Sequence, residues 1–213
     1  MKKIIIACSK KWFFKNNDVK KFIKKKNIVI ITSKDKLKLK NLKKLNPSKI
    51  FFPHWSYKVP AIITKNYNCI CFHTSPLPFG RGGSPIQNLI LMGKKFSPVC
   101  ALKMTDKIDA GPIYLKKKIS LAGSLDAIFS RIADSILIMI KMMIKKTYKG
   151  KSQKGNIFYF KRIHKKLSKI QNNLPIGKIY DQIRMLDSKE YPVAYFKFQN
   201  IKIEISNAKL KNK

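Results

Sequence analysis

Short apolar runs at residues 4–7, 28–32, 49–52 and 69–72 recur through the first third of the chain, with Lys-rich segments of helical spacing between them. Short runs dominated by Ile, Val, Phe and Cys suit strands covered on both faces. When such strands alternate with helices, each crossover lays a helix over the sheet, and the strands come out parallel. The intervening segments 11–26, 36–45 and 57–65 read as helices, the first through Phe13, Val19 and Phe22. Further on, 99–104 and 114–119 read as two more strands, and 124–146 as a long helix that buries a stripe of Ile128, Ile132, Ile136, Ile140 and Met143. The expected fold is α/β, a Rossmann-like, doubly wound and mostly parallel sheet.

At residues 147–153 the chain turns polar and Gly-containing, which marks a boundary between a domain over 1–150 and a linker with a small C-terminal module over 151–213. That tail reads as α+β: an aromatic strand at 158–160, a helix at 179–186, and two strands at 191–198 and 201–205 joined near Gln199-Asn200. It is too short to hold a large core of its own, so it is expected to pack on the main domain.

The net charge of +37 invites a nucleic-acid partner, because a dense positive field displaces counterions from a phosphate backbone. Of 47 basic residues, however, only Arg81, Arg131, Arg162 and Arg184 are arginine, the residue whose planar fork suits phosphate and base recognition. The lysines are spread along the whole chain and read mainly as a solvated coat. Cys8, Cys69, Cys71 and Cys100 lack the paired spacing of a zinc site, no metal is implied, and a reduced cytoplasmic protein is expected. Residues 4–7 are too short for a signal core. The long apolar segment 127–144 carries Arg131, Asp134 and Lys141, so it is amphipathic and no membrane association is expected. Cys8-Ser9-Lys10-Lys11 stands where a dinucleotide fingerprint would place glycines, which argues against NAD or FAD.

The chemistry concentrates in Cys71-Phe-His-Thr-Ser-Pro-Leu-Pro-Phe-Gly-Arg-Gly-Gly-Ser-Pro85 and in Ile108-Asp-Ala-Gly-Pro-Ile113. Ser84 suits an N-cap, Pro85 the first helical position, and Gly93 the helix end. His54 and Trp55 follow the third strand, and His73 and Ser75 the fourth, so both loops are expected to face one crevice beyond the strand ends. If the fold brings Asp109 to His73, the carboxylate fixes the imidazole tautomer and equips it for proton transfer or for holding a developing oxyanion.

These two segments resemble the folate-dependent formyltransferases, the family of methionyl-tRNA formyltransferase and the sugar N-formyltransferases. His73, Ser75, Leu77, Pro78, Arg81, Gly82, Pro85, Ile86, Asp109 and Gly111 stand at matching positions. The core of the resemblance spans 46–119; weaker likeness covers Lys165-Lys-Leu-Ser-Lys-Ile170 and Ile179-Tyr-Asp-Gln-Ile-Arg-Met-Leu186. The resemblance implies that 10-formyltetrahydrofolate, with no metal, gives its formyl carbon to a primary amine, and that His73 and Asp109 assist deprotonation of the amine and hold the tetrahedral intermediate. It places the pterin by Pro53, His54 and Trp55 and by residues 105–108, Asp106 and Ile108 among them, with the loop residues Ser75, Leu77, Pro78, Arg81 and Gly82.

One position departs. The family has Asn two residues before the His, and here it is Cys71, a weaker donor. Cys71 as a modest donor, a backbone or water donor in its place, reduced activity and a covalent formyl-thiol route all remain open at this point. For the acceptor, the short tail favours a nucleotide-linked amino sugar, with methionyl-tRNA next, glycinamide ribonucleotide less well matched, and a basic nucleic-acid-binding protein without catalysis as the non-enzyme reading. A homodimer is compatible with all of them.

Overall fold

The computed structural model describes residues 2–25, 27–163, 168–171 and 173–211. The strands β1 (Ile4–Cys8), β2 (Ile28–Ile31), β3 (Lys49–His54), β4 (Cys69–His73), β6 (Phe96–Lys103) and β7 (Ile113–Ser120) form one sheet in the order β2-β1-β3-β4-β6-β7. Neighbours from β2 to β4 pair in parallel, while β6 runs antiparallel to both β4 and β7. The mostly parallel expectation holds, with β6 as the reversed strand.

Alternation along the strands divides the core. Ile4, Ile6, Phe51, Ile70 and Ala101 face helices α1 (Trp12–Lys15), α2 (Asn17–Ile23), α5 (Pro85–Leu91) and α6 (Leu125–Lys145), whose buried stripe includes Ile128, Ile132, Ile136 and Ile140. Ile5, Ala7, Ile50, Phe52 and Cys69 face Leu42 of α3 (Leu39–Leu45) and Ile63 of α4 (Ala61–Asn66). On that second face, Cys100, Leu102 and Ile113 are covered by Leu77 of a loop instead of by a helix. Helical cover ends there, and the loops that replace it carry the polar residues of the site.

Local chemistry moved several expected boundaries. Helix 11–26 is two helices, because Asn16 takes an extended conformation and its side chain caps α2 by accepting from Val19 N. Pro60 delays α4 to Ala61, since a residue before proline is disfavoured in a helix. Ser84 precedes α5 as expected, but with φ 48° and no capping bond; its hydroxyl instead accepts from Ile163 N at 3.2 Å. The loop after β4 contains a strand that periodicity did not signal, β5 (Phe79–Gly82), which pairs in parallel with β8 (Phe158–Phe160).

The tail packs on the main body. Ile183, Met185, Leu186 and Ala194 join the same core cluster as α6. Arg184, on α7 (Ile176–Arg184), is ion-paired with Asp181 at 2.7 Å and donates to the carbonyls of Leu121 and Gly123. Glu190 accepts from Trp12 N at 3.1 Å and pairs with Lys10 at 3.2 Å. Beyond α7, β9 (Ala194–Phe198) and β10 (Ile201–Ile205) form an antiparallel hairpin.

Candidate active site

The reversed β6 decides where the site lies. Lys103 pairs with Ile70 at the start of β4, so the connection 104–112 leaves the sheet near that end and returns toward His73. The site therefore sits on the face of β4, between this connection and the β5 loop. Gly111 is pressed against the end of β6: a Cβ there would stand 1.9 Å from the Lys103 carbonyl oxygen. Two residues earlier, Asp109 holds φ 49°, a left-handed conformation in which Asp is one of the few tolerated side chains.

His73 is buried at 7% exposure and held from both sides. Its Nε2 lies 2.7 Å from the Gly80 carbonyl oxygen and its Nδ1 3.3 Å from Asp109 Oδ2. A carbonyl only accepts, so Nε2 carries the hydrogen, and Nδ1 is left as the nitrogen beside the acid. Asp109 Oδ2 also accepts the Gly82 N–H at 2.9 Å. The two glycines around Arg81 thus grip the imidazole and its carboxylate.

Arg81 and Asp109 meet through a residue that the sequence did not single out. Gln153 Oε1 accepts from Arg81 Nε at 3.2 Å and from Arg81 Nη2 at 2.8 Å, and Gln153 Nε2 donates to the carbonyls of Asp109 at 2.7 Å and Gly111 at 2.9 Å. It lies in the polar segment read as a linker, where a lone Gln has no periodic or motif signature.

Cys71 shares the His73 face of β4. Its thiol lies 3.8 Å from the Leu102 carbonyl oxygen, and burial pushes it well above the usual thiol range, with the Asp109 charge pushing the same way. A neutral thiol is a poor nucleophile. Ser75 and Leu77 are enclosed at 0% and 4% exposure, and Pro78 is buried next to them. Ile108, by contrast, is 67% exposed beside Asp109, and Asp106 is exposed on the same connection.

At the end of β3, which runs two residues past the expected 49–52 to include them, Pro53 is buried and the His54 ring stands edge-on to Trp12 at 6.1 Å, among Lys10, Arg162 and Glu190. Burial, aided by Lys10 and Arg162, lowers His54 to about 4, so this imidazole is neutral near pH 7. Trp55 packs on Phe52 and Tyr57, and its indole N–H is buried without a partner. A hollow of about 400 Å³ beside Trp55 is lined by Lys34, Lys38, Lys58 and Ile62; neither His73 nor Asp109 lines it. Among the described residues there is no cluster of metal-ligating groups, and no helix is long and apolar enough to cross a membrane.

Residues 165–213 match the family model of the methionyl-tRNA formyltransferase C-terminal domain, a stretch whose residues 165–167, 172, 212 and 213 lie outside those described. A methionyl-tRNA formyltransferase of Sulfurihydrogenibium sp. is 30% identical over 181 residues, covering 81% of this chain and 58% of that protein. The chain spans about three fifths of the length of the first curated relatives it matches, 58% in each of two. Among solved structures, a sugar N-formyltransferase from Shewanella shares the fold with a TM-score of 0.72 at 18% identity over the whole of both chains. The methionyl-tRNA formyltransferase from Clostridium thermocellum superposes with a TM-score of 0.92 at 40% identity, covering 99% of this chain and 94% of that one. With that identity sustained over nearly all of both chains, this chain belongs to the methionyl-tRNA formyltransferase family.

Proposed function

We propose that this protein transfers a formyl group from 10-formyltetrahydrofolate to the amino group of methionyl-tRNA. The observation that carries the chemistry is the double hold on His73, with Nε2 on Gly80 and Nδ1 facing Asp109. Because Gly80 claims the Nε2 hydrogen, Nδ1 is the ring position able to take up a proton. Asp109, fixed by the Gly82 N–H, stands where it stabilises the imidazolium so formed.

The bound donor supplies the formyl carbon. Beside Asp109, Ile108 offers an exposed apolar side chain on which a flat pterin can rest. The residues of this chain then move protons. His73 Nδ1 receives the proton released as the amine attacks and returns it to the departing nitrogen, while Asp109 keeps the ring oriented through both steps. Cys71, neutral and beside the same carboxylate, serves as a weak donor, and a covalent route through its sulfur is disfavoured.

Methionyl-tRNA is favoured as acceptor by the 40% identity to the Clostridium thermocellum enzyme and by the C-terminal match over 165–213. The charge of +37 suits a polyanionic acceptor. The amino-sugar expectation has the length of the Shewanella enzyme in its favour, but a likeness at 18% identity speaks for the fold alone. Incubation with 10-formyltetrahydrofolate and either methionyl-tRNA or a panel of dTDP- and UDP-amino sugars separates them. Formylmethionyl-tRNA is the expected product. Turnover of a sugar alone would replace the acceptor, and salt-dependent RNA binding without turnover of any amine would overturn the enzyme reading.

A further inference from the structure

We propose that Gln153 is a positioning residue for the His73–Asp109 pair, an inference that rests on the transfer reaction assigned above. Its one amide group reaches both partners of the imidazole. Through Oε1 it takes two N–H groups of Arg81, which lies between the carbonyl that binds His73 and the N–H that binds Asp109. Through Nε2 it holds the carbonyls of Asp109 and Gly111. The β5 loop and the 104–112 connection come from opposite ends of β4, and Gln153 joins them next to the reacting ring.

Three features distinguish this from an incidental linker contact. Asp109 is held in the left-handed region, and Gln153 bonds its own carbonyl, so the side chain stabilises the turn that presents the carboxylate. Arg81 is 7% exposed, and a guanidinium withdrawn from water needs acceptors; Gln153 Oε1 provides one while remaining neutral, which leaves the Asp109 carboxylate to His73. The backbone two residues earlier is fixed by the Lys151–Ile113 bridge, with N···O distances of 2.8 and 2.9 Å, so the side chain starts from a set position. The working unit of the site thereby extends past residue 150, into the segment that supplies Gln153 and β8.

The chemistry of the amide dictates the test. Gln153→Met keeps the volume and loses every hydrogen bond, whereas Gln153→Glu retains an acceptor for Arg81 and turns its second oxygen on two carbonyls. In the full chain, both variants are expected to lower kcat at least tenfold with the KM for donor and acceptor within about twofold of wild type. Both are also expected to shift the His73 imidazole ¹⁵N resonances. Thermal melting gives the folded fraction. Unchanged kcat and unchanged resonances in Gln153→Met would overturn the proposal. So would a kcat loss that only tracks the folded fraction, or a rise in KM at constant kcat. If wild-type protein formylates no acceptor, the assigned reaction fails, and the His73 resonances alone then decide whether Gln153 orients the ring.

Discussion

The ring of Phe160 occupies the space that a side chain at Gly80 would need, 2.4 Å from the ideal Cβ position. Gly80 also holds φ 79°, and its carbonyl anchors His73 Nε2. The tail strand β8 therefore bears directly on the loop that holds His73. Gly80→Ala is expected to displace either the ring or the carbonyl, at a cost of about 1–3 kcal/mol from overpacking and with transfer reduced more than tenfold. Chemical denaturation and steady-state kinetics on the same preparation check both effects.

His73→Ala and Asp109→Ala are each expected to lower the transfer rate by roughly 10²–10⁴, the range associated with general acid–base groups, with an unchanged circular dichroism spectrum. Asp109→Asn keeps an acceptor for the Gly82 N–H and removes the charge beside Nδ1, so it is expected to fold normally and still lose most activity. Near-normal rates in any of the three would refute the assignment.

The thiols give a pH-dependent prediction. Burial raises Cys8 and Cys69 from 9.0 to about 12 and Cys100 to about 11. Between pH 9 and these values the unfolded chain releases protons that the folded chain retains, so stability is complete below pH 9 and falls as pH rises through this window. Denaturation midpoints from pH 8 to 11 are expected to drop, and iodoacetamide at pH 8 is expected to modify the native protein slowly and the unfolded protein fast.

His54 acts at the other end of the scale. Its folded value of about 4 lies below the ordinary 6.5, so over this interval the unfolded state binds the extra proton. The stability that its neutral ring contributes is present above pH 6.5 and is lost as pH falls toward 4. His54→Gln is expected to flatten this part of the pH–stability curve, as measured by urea midpoints from pH 4 to 7.

Cys71→Ala is expected to lower transfer by less than tenfold, because a neutral thiol 3.8 Å from the Leu102 carbonyl is a weak donor to any developing charge. A loss as large as that in His73→Ala would restore the case for a direct role of the sulfur.

The strands β1, β3 and β4 were legible because a buried parallel strand needs an uninterrupted apolar run, and helix α6 because its stripe repeats at helical spacing. His73 and Asp109 stood out as polar residues set among prolines and glycines. The layered α/β fold could be read from the chain alone, which also singled out loop 71–85 and Asp109 as candidates for the site. Packing in three dimensions was needed to reverse β6, to bring Asp109 to His73 from the opposite end of β4, to pair 79–82 with 158–160, and to let Gln153 bind both loops. These rest on contacts between residues far apart in the chain, where a single hydrogen-bonding side chain leaves no periodic trace and the direction of a strand is set by the packing of its neighbours.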